Sequence, residues 1–112
     1  MSPVGAGAAW AVLLVAGLFE IAWVIGMKLS DGFTWLWPSV VSLTAMFFSV
    51  ALLSQAMRSI PVGTAYAVWT GIGAAGTAVI GIGWFGESGD LLRIGAIVMI
   101  VAGIVGLKLV SP

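Results

Sequence analysis

Cysteine and histidine are both missing from this sequence of 112 residues, and charge is scarce. Without cysteine or histidine, disulfide bonds, thiolate metal sites and cysteine or histidine nucleophiles are excluded. Only 7% of the residues are charged, and the four basic and four acidic side chains cancel, which removes the electrostatic basis for binding nucleic acid. No nucleophile is paired with a base. We therefore expect no enzyme, no cofactor and no metal site.

The sequence is rich in apolar side chains: 62% of its residues are hydrophobic, and its mean hydropathy is +1.22. The hydrocarbon core of a bilayer is about 30 Å thick and takes about 20 apolar residues per helix. Barrel strands would alternate in polarity over about ten residues, and no segment does so. We therefore predict one all-α transmembrane domain, residues 1–112, with four helices in an up-and-down bundle at approximately 8–28, 35–57, 61–85 and 91–110.

Lysine and arginine do not favour either orientation of this bundle. If the N-terminus defines one side of the membrane, Arg58 and Lys108 lie on that side, and Lys28 and Arg93 lie on the other. The positive-inside rule therefore gives no preference. A chain without a preference can insert both ways, and two opposed copies can then pair as an antiparallel dimer. The alternative is one orientation fixed by another feature, such as the N-terminal amine.

One carboxylate, Glu20, lies well inside the first predicted helix. An acidic residue at the membrane midplane costs about 3 kcal/mol on insertion scales, and such residues usually face the bundle interior on an ion or proton pathway. Helical spacing places Gly17 and Trp23 on the same face, where the glycine leaves room and the indole offers an N–H donor. We interpret Glu20 as a binding residue for protons or a cation. The alternative is a neutral, hydrogen-bonded glutamic acid that fixes helix packing.

Hydroxyl and aromatic side chains in the second and third helices are candidates to surround this carboxylate. Ser42 and Ser49, seven residues apart on one face, can each donate a hydrogen bond to it; the alternative is that they bond their own backbone. In helix three, Tyr66 and Trp69 lie on one stripe with Gly73, and Trp69 is too deep for the interfacial aromatic belt. We therefore expect Tyr66 and Trp69 to line the site rather than only to fill the core.

Helix three also contains several glycines. The segment from Gly71 to Gly76 reads GIGAAG and fits the G-x-G-x-x-G dinucleotide pattern, which has meaning only after a strand in a βαβ unit. We instead predict a hinge at Gly71, Gly73 and Gly76, because these positions lack the side chains that would resist bending. Close helix packing is the alternative, and the two interpretations do not exclude each other.

Small residues also mark the fourth helix, at Gly95, Ala102, Gly103 and Gly106. The pair Ala102 and Gly106 has the small-xxx-small spacing that lets membrane helices approach closely. The charged residues of this helix lie only at its two ends. We therefore assign this face to the interface of a dimer.

Several longer stretches resemble one known family. GLFEIAW in helix one, FTWLWPS at the start of helix two and IPVGTAYAVWTGIG in helix three resemble the small multidrug resistance transporters, as do the four spans in 112 residues. The resemblance extends over nearly the whole chain after the first seven residues. Within the family, the chain is similar to the guanidinium exporter subtype, since the drug-exporting subtype typically has glycine where Trp23 stands.

The resemblance implies an antiparallel, dual-topology homodimer in the bacterial cytoplasmic membrane that exports guanidinium in exchange for protons. It implies that Glu20 binds substrate or proton, and that Trp23 and Ser49 hydrogen-bond the carboxylates. It also implies that Gly17 leaves space, that the helix-three glycines are the hinge for alternating access, and that helix four is the dimer contact, with the site lined by Tyr66 and Trp69. The chain departs from the family in its N-terminal extension MSPVGAG, for which we expect no mechanistic role, and in the loop GESGDLL, where a glycine replaces a common basic residue.

Two Glu20 carboxylates in one dimer site would resist simultaneous ionisation, and either a cation or protons would neutralise them. Because the two occupants exclude each other, alternating access would give antiport. A planar guanidinium suits such a site, since it hydrogen-bonds carboxylates and stacks on aromatic faces. Other functions remain open from the sequence: export of quaternary ammonium compounds, a proton-carrying ring subunit of a rotary ATPase, and a scaffold that transports nothing.

Overall fold

The computed structural model describes residues 6–111 and, for Ala6, the backbone alone. It contains four α-helices, which are α1 (Ala6–Leu29), α2 (Leu36–Ala56), α3 (Val62–Gly83) and α4 (Leu91–Val110). Each is long and apolar enough to cross a membrane, and no strand occurs between residues 6 and 111. The predicted all-α architecture with four transmembrane helices is confirmed, and the chain is a multi-pass membrane protein. The first five residues of the extension MSPVGAG, and Pro112, lie outside the described residues.

Local hydrogen bonds fix the loop after α1 and the start of α4. Ser30 is fully buried in the first loop, where its hydroxyl donates to the Met27 carbonyl at 2.7 Å and accepts from the Phe33 N–H at 2.8 Å. Asp90 caps α4, because its carboxylate accepts a hydrogen bond from the Arg93 backbone N–H at 2.8 Å. This hydrogen bond holds the pKa of Asp90 below its ordinary value.

The core of the described bundle lies around α1, because both α2 and α3 pack along it. Ala9, Leu13 and Ala16 of α1 are fully buried, and they pack with Leu53 of α2 and Val68 of α3. Two of the three core positions on α1 are alanines, and such small side chains let membrane helices approach closely. This close packing places one face of α1, including Glu20, between its neighbours.

Helix α4 lies at the periphery of the chain. It packs against α3, and none of its described residues is buried. Near its C-terminal end, Lys108 Nζ lies 4.9 Å from the centre of the Trp10 ring, a cation–π contact with α1. Its large apolar side chains are exposed, with Met99 74% accessible. In a membrane such a face contacts either lipid or another protein chain.

Candidate functional site

Glu20 lies in α1 where this helix contacts α3, and Gly73 of α3 faces it. A methyl group added at Gly73 would collide with the Glu20 carboxylate, so the carboxylate occupies space that only glycine leaves free. The Oε2 atom of Glu20 is buried and has no hydrogen-bond partner among the described residues. Buried polar atoms nearly always have a partner, so this free acceptor marks a place where a ligand, a proton or another chain is expected.

Gly17 contributes to this arrangement differently from what the sequence led us to expect. A Cβ atom at Gly17 would lie 2.6 Å from Cγ2 of Ile72, so the space beside Gly17 is filled by a side chain of α3. It is not left open beside the carboxylate. The glycine instead lets α1 and α3 approach closely, and this approach brings Glu20 against Gly73.

The three glycines predicted to form a hinge all lie at helix contacts. Gly73 faces Glu20, a Cβ at Gly71 would lie 3.0 Å from Ile104 of α4, and a Cβ at Gly76 would collide with Ile21 of α1. Helix α3 continues without interruption through these positions. Close packing, the alternative interpretation, therefore accounts for all three in this arrangement. The hinge stays a prediction.

Ser49 and Trp69 connect three helices by hydrogen bonds. Trp69 Nε1 donates to Ser49 Oγ at 2.9 Å, and Ser49 Oγ donates to the Ala16 carbonyl at 2.7 Å. Ser49 is fully buried, and Ala16 lies one turn before Glu20. The hydroxyl proton of Ser49 is therefore used by the backbone of α1. The expected hydrogen bond from Ser49 to the Glu20 carboxylate does not occur within the described chain.

Trp23 offers an unused donor one turn after Glu20. Its Nε1 atom is buried and has no partner within residues 6–111. Its backbone carbonyl accepts a hydrogen bond from Ser42 Oγ at 2.7 Å. Ser42 therefore bonds the backbone of α1, as Ser49 does, and neither serine follows the two roles considered from the sequence.

Other predicted residues lie on open surfaces of the chain. Tyr66 is 55% exposed, and its ring centre lies 5.7 Å from that of Trp69. A Cβ atom added at any of the three α4 glycines assigned to the dimer interface would meet no atom within 4 Å, and Ala102 beside them is exposed. These residues are accessible to lipid or to a second chain.

A cavity of about 410 Å³ joins Glu20 to residues that the sequence did not single out. Its polar lining consists of Glu20, Thr70, Thr77, Glu87 and Arg93. Three buried side-chain polar atoms have no partner in the described part of the chain, and they are Glu20 Oε2, Trp23 Nε1 and Thr77 Oγ1. Thr77 lies four residues after Gly73, and this spacing, which places the two on one helix face, is the signal that could have identified it.

Glu87 and Arg93 form an ion pair beside the same cavity. Arg93 Nη2 donates to Glu87 Oε1 at 3.0 Å, and the two side chains are 42% and 48% exposed, respectively. Glu87 lies in the loop after α3, and Arg93 lies in the first turn of α4. From the sequence alone, two such residues cannot be distinguished from the charged residues of an ordinary solvated loop. Between residues 6 and 111 there is no group of three or more acidic, cysteine or histidine side chains that could hold a metal ion.

Comparison with known proteins identifies the family. The sequence model of the Small Multidrug Resistance protein family matches residues 8–102. A guanidinium exporter of Yersinia pseudotuberculosis is 58% identical over 103 residues, which cover 92% of this chain and 99% of that protein. Guanidinium exporters of Proteus vulgaris and Escherichia coli are each 55% identical, over 91% and 89% of this chain and 98% and 95% of their own lengths. The chain therefore belongs to the Small Multidrug Resistance protein family, as the sequence resemblance indicated.

Proposed function

We propose that the chain is a proton-coupled antiporter that exports guanidinium and small guanidinyl compounds in exchange for protons. The proposal rests on the buried Oε2 atom of Glu20, an acceptor without a partner on a residue that lines a polar cavity. The relatives that are 55–58% identical are named guanidinium exporters, which supports both the substrate and a role in transport rather than in catalysis.

The free polar atoms of the site favour guanidinium over a quaternary ammonium cation. Guanidinium carries only N–H donors in one plane, and the cavity offers two buried acceptors without partners, Glu20 Oε2 and Thr77 Oγ1. A quaternary ammonium has no N–H group, so it would leave both oxygens without a hydrogen bond. It would interact with the site through charge and through aromatic faces alone.

Coupling to protons follows from competition for the same carboxylate. A proton on Glu20 removes the negative charge that attracts a cation, and a bound cation stabilises the ionised carboxylate against protonation. Each occupant therefore expels the other, so one site that opens alternately to the two sides of the membrane exchanges them. The helix-three glycines Gly71, Gly73 and Gly76 are our candidates for the hinge of this alternation.

The transporter that we propose is an antiparallel homodimer of two single-domain chains, in which both copies of Glu20 share one site. The balanced distribution of lysine and arginine supports insertion in both orientations. The peripheral helix α4, with its uncovered small residues Gly95, Ala102, Gly103 and Gly106, supports a second copy packed against it. In such a dimer the unused indole N–H of Trp23 would be available to the carboxylate of the partner. Ser49 would hold Trp69 and the α1 backbone in place, and Gly17, Tyr66 and Trp69 would shape the shared site.

The proposed location is the cytoplasmic membrane of a bacterium, with lipid around the dimer. The relatives named above come from bacteria, which supports this assignment. Membership of the Small Multidrug Resistance family argues against the ring subunit of a rotary ATPase. Export of quaternary ammonium compounds is the competing function within the family.

The test is proton uptake into proteoliposomes that contain the purified protein. A guanidinium gradient and a tetrapropylammonium gradient are applied in parallel, and a Glu20→Gln variant serves as the control because glutamine keeps the size of the side chain. We expect guanidinium-driven proton flux that is lost in Glu20→Gln. Circular dichroism and gel filtration of the variant confirm that it folds.

Each outcome of this experiment decides one point. Flux with tetrapropylammonium alone would assign the chain to drug export. Flux that persists in Glu20→Gln would refute the role of the carboxylate. No flux with either cation in a folded wild-type protein would refute transport of these substrates.

A further inference from the structure

The carboxylates of Glu20 and Glu87 lie against the two ends of one row of residues on α3, here called the α3 stripe. Gly73, Thr77 and Gly81 follow at intervals of four residues, so they share one face of the helix. The Glu20 carboxylate lies against Gly73. The Glu87 carboxylate lies against Gly81, where an added Cβ atom would come within 2.6 Å of Oε1. Thr77, whose hydroxyl has no partner in the described residues, lies midway between Gly73 and Gly81 on this face.

The two carboxylates also line a single cavity, the one of about 410 Å³ described above. A rise of 1.5 Å per residue separates Gly73 from Gly81 by about 12 Å along the helix, with Thr77 about 6 Å from each. The cavity lining therefore runs from the loop after α3 to Glu20, with oxygen acceptors at Glu87, Thr77 and Glu20.

Glu87 is held at the C-terminal end of α3, where a negative charge is unfavourable. Its backbone N–H donates to the Gly81 carbonyl at 3.0 Å, which fixes it beside the last turn of the helix. The dipole of a helix places partial negative charge at this end, which repels a carboxylate and attracts a cation. A cation beside Glu87 is thus favoured by both the carboxylate and the helix end.

The cation beside Glu87 in this structure is itself a guanidinium group. Arg93 Nη2 donates to Glu87 Oε1 at 3.0 Å, and both side chains are nearly half exposed. Ion pairs with this exposure contribute little to stability, so free guanidinium can compete for the carboxylate. Arg93 occupies the position that a substrate guanidinium would take.

We propose that Glu87 is an outer binding site for guanidinium cations, and that the side chain of Arg93 occupies this site until a free guanidinium replaces it. The inference rests on the proposed function, since it describes how the substrate reaches Glu20. A captured cation then moves along the α3 stripe, past Thr77, to the inner carboxylate.

This arrangement predicts opposite effects for the two members of one ion pair. Glu87→Gln removes the outer site and raises the apparent KM for guanidinium by about three- to five-fold, as expected for the loss of one exposed charge contact. Arg93→Gln removes the internal competitor and lowers the apparent KM by a similar factor. An ion pair that only stabilised the loop would give changes of the same sign in both variants.

Asp90→Asn is the matched control for a general effect of negative charge in this loop. It removes one carboxylate only three residues from Glu87, and it keeps an N-cap because asparagine caps helices as well as aspartate does. We expect its KM to stay at the wild-type value. A rise equal to that of Glu87→Gln would refute a specific site. The cap also persists in Arg93→Gln, because Asp90 accepts from the backbone N–H of residue 93.

The experiment measures KM for guanidinium-driven proton flux in the wild type and these three variants, with thermal unfolding of each as a check on folding. Direct calorimetric titration with guanidinium chloride in the Glu20→Gln background adds a readout independent of transport. We expect weak binding there that is lost in Glu20→Gln/Glu87→Gln. A wild type without flux would refute the proposed function. A wild type with Glu20-dependent flux, but with KM changes of equal sign in Glu87→Gln and Arg93→Gln or no binding in the Glu20→Gln background, would refute the outer site alone.

Discussion

Replacement of Gly73 by alanine tests the position of Glu20 most directly. The added methyl group would collide with the carboxylate, so the Glu20 side chain must turn away from α3 in the variant. The carboxylate can do this in the empty protein because its buried Oε2 atom has no hydrogen-bond partner within the described residues. To bind a cation in the cavity it must return, and the clash then opposes binding.

The size of the effect follows from the packing. An extra methyl group in a well-packed position costs about 1–3 kcal/mol. If this strain arises only when the carboxylate returns to its binding position, the affinity for guanidinium falls by about five- to 150-fold, since about 1.4 kcal/mol corresponds to a factor of ten. Folding is affected much less, because alanine also gains up to about 1 kcal/mol of helix propensity over glycine.

The measurement compares Gly73→Ala with Gly63→Ala, the same substitution in the same helix. A Cβ at Gly63 would meet no atom within 4 Å, so this control has the propensity gain without the clash. We expect guanidinium-driven proton flux with a greatly raised KM in Gly73→Ala, an unchanged KM in Gly63→Ala, and closely similar thermal unfolding of the two in detergent. Equal KM values in the two variants would refute the placement of Glu20 against α3.

Three further predictions follow from other contacts. Ser49→Ala leaves the half-buried Trp69 indole N–H without its acceptor and should lower the free energy of unfolding by about 1–3 kcal/mol. Trp69→Phe should then add little, and additive losses in the double variant would contradict the hydrogen bond. Gly103→Leu meets open space in one chain, so it should leave the helix content unchanged but shift the protein from dimer to monomer in cross-linking, whereas an intact dimer would exclude this face as the interface. The hydrogen bond from the Arg93 N–H lowers the pKa of Asp90, so the α4 cap should be fully present above pH 3.8 and should be lost only as the pH falls through the lowered pKa. The chemical shift of the Arg93 amide in NMR spectra should report this loss. Asp90→Asn should abolish the pH-dependent change of that shift.

The helices could be predicted from the sequence because a membrane leaves few alternatives for a long apolar run. The observed ends of α4 are the predicted ones, and those of the other three helices differ from the prediction by one or two residues. The largest difference at an internal boundary is the end of α3, at Gly83 rather than residue 85. Glu20 was recognisable for a related reason: inserting a carboxylate into a membrane costs free energy, so a carboxylate in an apolar helix usually serves a function.

The partners of the site residues could not be predicted, because they depend on the register between helices. Ser49 and Trp69 were both expected near the carboxylate, yet they bond each other and the backbone at Ala16. A helical period shows which residues share a face of one helix, but it does not show how far the neighbouring helix is shifted along it. Thr77 and Glu87 were not identified as site residues for the same reason. Their place in the cavity depends on how α3 and the loop after it lie beside Glu20.

The unsatisfied atoms of the site support the proposed assembly of two chains around one site. Glu20 Oε2, Trp23 Nε1 and Thr77 Oγ1 are buried without partners in residues 6–111. A buried polar atom that stays without a partner costs about 1–3 kcal/mol, so each of these atoms favours a bound partner. A proton, a guanidinium cation and a second copy of the chain would each satisfy some of these atoms. Because the proton and the cation both bind Glu20, the binding of one lowers the affinity for the other. This competition is the basis of the exchange that we propose.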